Sequence, residues 1–218
     1  MSPPVPEHER EVYECIVGNR ANLRRFLTDF QTSVALFELL ERGGGPPSTG
    51  VLGGEFFQYR IIAARDGALN IYHAKCSLEA IKKQLPQCPS LNPFVDPKDI
   101  RRALKIFNQF FPNCDNVRHA IAHAGEIFSS PRIMKKHEQR DARSHPGFTF
   151  GTATIKPGVG GGWFVHSLWD RTYSVGIEGD IFSIAIDQTS IAKMEDVICL
   201  VDSAFAKLFA SNEISAAS

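Results

Sequence analysis

The chain has 218 residues, 43% hydrophobic and 22% charged, a size and composition near the globular average that exclude general disorder and allow a well-buried core. Lys plus Arg and Asp plus Glu both number 24, which excludes a global positive field as the means of holding nucleic acid and makes any such site local. The sequence contains no charged-then-apolar leader and no apolar run of about 18 residues, so the expected setting is cytoplasmic, with no membrane partner.

From about Glu7 to Arg42, Leu23, Phe26, Leu27, Phe30, Val34 and Phe37 recur at helical spacing, and Gly43-Gly44-Gly45-Pro46-Pro47 follows as a stop. This predicts a long helix, bent near Gly18. From about Gly54 to Leu85, the stripe Phe57, Ile61, Ala64, Ala68 and Tyr72, widened by Leu69 and Cys76, predicts a second long helix ending at Pro86. By phase Arg65 falls on its apolar side, where a charge needs a partner. The expected partner is an acid on a neighbouring helix, with substrate binding as the alternative role. The third helix has a clear start: Asp96 as N-cap, Pro97 in the first turn, Asp99 near the positive end, and Val95 placed to staple onto Ile100. Its stripe is Ile100, Ala103, Leu104, Phe107, Phe110 and Phe111. Arg101, Arg102 and Lys105 lie off the stripe as candidate substrate-binding cations, and Pro112 ends the helix.

Asp115 is then placed to cap a short fourth helix, in which Val117, Ala120, Ile121, Ala124, Ile127 and Phe128 form one apolar face. Packing explains that side. The other carries Arg118, His119, His123 and Glu126, and Glu126 together with Asn116, one turn before Ala120, is a candidate substrate-binding residue. Residues 129–147 are polar and basic and read as a loop. Four runs rich in aromatic and β-branched residues follow, Phe148 to Ile155, Trp163 to Trp169, Thr172 to Ile177 and Ile181 to Ile186. They predict an antiparallel meander with a tight turn at Glu178-Gly179-Asp180. Gly158 to Gly162 lacks the Gly-Lys-Ser/Thr and the helix start of a phosphate loop. A closing amphipathic helix spans about Ser190 to Ala210. The five cysteines are odd in number and show no C-x-x-C spacing, so they are expected to be reduced and mostly buried.

A helical hairpin followed by Arg118-His119-Ala120-Ile121-Ala122-His123 resembles the HEPN family, whose hallmark is arginine, a polar residue, three further residues and histidine. The spacing also occurs at Arg132 to His137 and at Arg140 to His145, but only Arg118 to His123 combines a polar second residue with an amphipathic helix. The resemblance implies a helical bundle that dimerises so that two motifs meet in a cleft and act as a metal-independent endoribonuclease without a cofactor. By that resemblance Arg118 stabilises the scissile phosphate, His123 transfers protons and His119 holds the supporting polar position. Arginine and histidine suit this chemistry, because it needs a fixed cation and a group that titrates near neutrality. Arg118 and His123, five residues apart, flank the polar face about 140° from one another.

The resulting expectation is an α+β chain: a HEPN-like bundle over 1–128, a basic loop over 129–147, strands and a closing helix over 148–211, and a tail over 212–218. The expected partners are a second copy of the chain, RNA and an antitoxin-like protein. Two other readings stand beside the ribonuclease. One is a HEPN-like module that binds nucleotide, RNA or protein without catalysis. The other is a metal-binding bundle using His119, His123 and Glu126, since histidines four apart share one helix face.

Overall fold

The computed structural model describes residues 5–43, 51–126, 129–137, 148–150, 153–155 and 166–208. Six α-helices lie among them: α1 (Arg10–Gly43), α2 (Val51–Gln84), α3 (Pro97–Phe110), α4 (Cys114–His123), α5 (Pro131–His137) and α6 (Gln188–Ala204). The strands are β1 (Phe148–Phe150), β2 (Ala153–Ile155), β3 (His166–Trp169), β4 (Thr172–Ile177) and β5 (Asp180–Ala185). The chain is α+β, as its pattern of periods indicates. It divides into two compact units, 1–35 with 69–112 and 187–218, and 36–68 with 113–186, so α1 and α2 contribute to both.

In the first unit, α1 buries Ile16, Leu23, Phe30 and Val34, α2 buries Ile71, Leu78 and Ile81, and α6 buries Met194, Val197 and Val201. Each such side chain removed from water contributes about 1.5–3 kcal/mol. The predicted start of α3 is observed: the Asp96 carboxylate accepts the Lys98 N–H at 2.8 Å, and Val95 and Ile100 are both buried. Ile100, Ala103, Leu104 and Phe107 form the buried face of α3, which packs on α6. Asp202 on α6 accepts from Arg20 Nη2 and Arg24 Nη2, each at 2.7 Å, which ties α1 to α6. Asp187 caps α6, its carboxylate accepting the Ser190 N–H at 2.7 Å.

In the second unit, β3, β4 and β5 form an antiparallel sheet in that order, with Leu168 opposite Tyr173 and Tyr173 opposite Ile184. Side chains alternate along each strand, so His166, Leu168, Tyr173, Val175 and Ile184 share one face. Leu168, Tyr173, Val175 and Ile184 are buried. Two-residue turns join the strands: Asp170 and Arg171 at φ 40° and 60°, then Glu178 and Gly179 at φ 53° and 88°. These left-handed pairs match the twist of a hairpin. The strain at Arg171 is offset by its guanidinium, which reaches Glu38 at 2.9 Å and Glu41 at 3.1 Å on α1.

The structure departs from the sequence expectation at several points. The predicted four-strand meander is split into a two-stranded ladder and a three-stranded sheet, because the run Phe148 to Ile155 folds back on itself with Phe150 opposite Ala153. The predicted loop contains α5, started by Ser130, whose hydroxyl accepts the Ile133 N–H at 3.3 Å, and by Pro131 in the first turn. Asp115 lies inside the first turn of α4 rather than at its cap, which is Asn113. Of the five thiols only Cys88 and Cys114 are buried, while Cys15 and Cys199 are exposed. Ile127, Phe128, Arg140, His145 and the expected tail lie outside the described residues. No helix among the described residues is long and apolar enough to cross a membrane.

Candidate functional site

The site is built on α4, which rests against β4 and β5. Cys114, Val117 and Ala120 recur at helical spacing and are all nearly inaccessible to solvent, so they anchor one side of the helix. Asn113 fixes its start. The Asn113 side chain makes no capping bond and instead donates through Nδ2 to the Ser183 carbonyl of β5 at 3.4 Å. Sequence reading missed this residue, since an asparagine two positions before an aspartate carries no separate signal for a contact with a strand 70 residues away.

With that side buried, the opposite one is turned to solvent. Asn116, Arg118 and His119 are exposed, and the His123 and Glu126 side chains retain 38% and 60% of their accessibility. The His119 and His123 rings lie 4.5 Å apart between centroids, tilted by 57°. His123 Nδ1 stands 3.0 Å from Glu126 Oε2. A carboxylate at that distance can pair with the imidazole when the ring is protonated. The arrangement therefore presents a guanidinium and two neighbouring imidazoles, one of them beside a carboxylate, on one accessible side of α4. Among the described residues no three of His, Cys, Asp and Glu converge as metal ligands, so His119, His123 and Glu126 do not form a coordination shell.

The remaining predicted residues are distributed differently. Arg65 belongs to the second unit, but it is exposed on α2 rather than set among apolar neighbours. The buried face keeps Ile61, Ala64 and Ala68 of the expected stripe and continues through Ile71, whereas Leu69, Tyr72 and Cys76, which widened the expected stripe around Arg65, are only partly buried. Among the described residues Arg65 makes no ion pair with an acid. Its charge acts on Tyr173 and His166 of the sheet: burial pushes the Tyr173 hydroxyl up to about 12 while Arg65 pulls it down, and partial burial, aided by Arg65, lowers His166. Arg101, Arg102 and Lys105 are exposed on α3 and belong to the first unit. The chain matches no protein-family model, no curated protein and no solved structure.

Proposed function

We propose that the chain is a HEPN-like, metal-independent endoribonuclease that acts in the cytoplasm as a homodimer, with Arg118 and His123 as its catalytic residues. The observation that carries this reading is the accessible pair of Arg118 and His123 on the solvent side of α4, with the Glu126 carboxylate 3.0 Å from the His123 ring. In the reaction, an imidazole removes the proton of a ribose 2′-hydroxyl, whose oxygen bonds to the adjacent phosphorus. The bond to the 5′-oxygen breaks, and that oxygen takes a proton from a second imidazole. The products are a 2′,3′-cyclic phosphate and a 5′-hydroxyl. Two motifs facing across the dimer cleft supply one base and one acid, and Arg118 stabilises the charge that develops on the phosphate. His119 supports His123, and Asn116 contributes a polar contact to the same strand. An antitoxin-like partner that covers this face would restrain the activity.

A second reading is favoured by the same His123–Glu126 pair: a carboxylate that can pair with the imidazole suits a HEPN-like module that binds RNA, nucleotide or protein without cleaving. Incubation of wild type, Arg118→Ala and His123→Ala with mixed RNA in chelator separates the two. Cleavage that resists chelator and falls at least about 100-fold in both variants supports the enzyme. No cleavage by the wild-type dimer moves the assignment to the binding module.

A further inference from the structure

The three candidate cations of the first unit are not equivalent, and the difference defines a site. Two hollows of ≈ 470 and ≈ 450 Å³ share Lys82, at the end of α2, and Arg101 on α3. Lys105 lines the second and Arg102 lines neither. Because the hollows share two residues, they form one groove that follows the outer face of α3 from Pro97 to Gln109, a length of about 18 Å. Its polar lining is Lys82, Arg101 and Lys105 with the amides of Asn92, Asn108 and Gln109, and its floor includes Leu85, Ile100 and Leu104. Among the described residues no carboxylate lines it.

In a chain of zero net charge, a groove with three cations and no acid is a local concentration of positive potential. Lys82, Arg101 and Lys105 are exposed, and none makes an ion pair with another described residue. Arg101 and Lys105 stand one helical turn apart, a like-charge pair that disfavours the helix. No described residue pairs with either charge to relieve that repulsion, whereas a ligand carrying regularly spaced negative charge does. The rise between Arg101 and Lys105 is about 6 Å, close to the span of one extended nucleotide. The amides supply donors and acceptors for base edges, and the apolar floor suits the sugar and base faces.

We infer that the α2–α3 groove binds the phosphate backbone of single-stranded RNA. The choice of RNA as occupant rests on the ribonuclease reading, while the groove stands on its own residues. Among the described residues no aromatic ring lines it, so stacking adds little and the binding is dominated by phosphate contacts and tolerant of sequence. Three phosphate contacts on a single strand give a slope of about −2 in log K against log salt, or roughly a twentyfold loss of affinity between 50 and 200 mM.

The test is fluorescence anisotropy with a short labelled single-stranded RNA of mixed sequence, using full-length Arg118→Ala/His123→Ala protein so that the probe survives. Adding Arg101→Gln and Lys105→Gln is expected to bring the slope near −0.7, whereas the charge-matched pair Lys98→Gln and Lys207→Gln, outside the groove, leaves it near −2. Matching thermal melts establish that both pairs fold. Equal effects of the two pairs, a slope insensitive to the groove charges, or no binding at low salt overturns the inference. Polyglutamate that displaces the probe as well as unlabelled RNA does would reassign the groove to an acidic protein. Groove binding without cleavage by the wild type refutes the ribonuclease alone, and cleavage that persists without groove binding refutes the groove alone.

Discussion

Tyr173 gives a test of the second unit that is independent of any activity. The residue is 2% exposed on the central strand, and burial moves its hydroxyl from 10.0 to about 12. The folded protein therefore favours the neutral phenol. Below about pH 10 both states hold the proton and Tyr173 ionisation leaves stability unchanged. Above pH 10 the unfolded chain ionises first, and stability falls as pH rises until the folded pKa is passed. The linked loss is about 1.4 kcal/mol at pH 11 and about 2.3 kcal/mol at pH 12. Tyr173→Phe removes this titration. Urea unfolding of wild type and variant at pH 8, 10 and 11, followed by circular dichroism, isolates the term from the titration of every other group. Wild type should lose about 1.4 kcal/mol relative to the variant between pH 8 and pH 11. An ultraviolet titration should show one phenol ionising at about 12 that is missing from Tyr173→Phe. Because Arg65 pulls the group down, Arg65→Gln should delay its ionisation further. A stability difference that stays flat from pH 8 to pH 11 would refute the reasoning.

Other outcomes follow from individual contacts. The His123–Glu126 pair is half exposed and worth about 0.2–1 kcal/mol, so Glu126→Gln should slow RNA cleavage by no more than about fivefold; a loss as large as that of Arg118→Ala would make Glu126 part of the chemistry itself. Asp187→Ala removes the cap of α6 and should cost about 1 kcal/mol, seen as a fall of roughly 2–4 °C in a thermal melt, and an unchanged melt would show that the cap contributes nothing. Glu9 is held below the ordinary carboxylate range, first by hydrogen bonding from the Ser90 side chain and also by the Ser90 N–H at 3.0 Å. Its stabilisation is present above about pH 4.5 and disappears as pH falls through the lowered pKa, so Glu9→Gln should flatten the acid limb of the stability profile; parallel acid limbs would contradict this.

How much of this was legible in the sequence depended on how local the determining chemistry was. The start of α3 was readable because Asp96, Pro97, Val95 and Ile100 act within a few residues of one another. The expected face of α2 extends too far to one side because Leu69 and Tyr72, large but only partly buried, outweigh Ala63, Ile71 and Ala74, which are buried beside the correctly expected Ile61, Ala64 and Ala68. That error placed Arg65 inside. The start of α5 has a local signature in Ser130-Pro131, but the charged residues after it read as a solvated loop. Arg171 between Glu38 and Glu41 was invisible, since the partners are more than 100 residues away and the turn that aims the guanidinium has two non-glycine residues at positive φ.

The candidate site was legible for the opposite reason, and this affects how its variants can be interpreted. Arg118, His119 and His123 follow from the period of one short helix, and the buried Cys114, Val117 and Ala120 account for why that helix turns those three side chains outward. Substitutions in the anchoring set remove packed volume and confound stability with activity. Truncations of the exposed set leave that packing in place and should change stability by no more than about 0.5 kcal/mol. Any large loss of cleavage in Arg118→Ala or His123→Ala with an unchanged melt is therefore a loss of chemistry. The same logic holds for Arg101 and Lys105, whose exposed heads sit above the buried Ile100, Ala103 and Phe107. Both sites can thus be emptied of charge one at a time, and the contributions of cleavage and binding can be measured in proteins of equal stability.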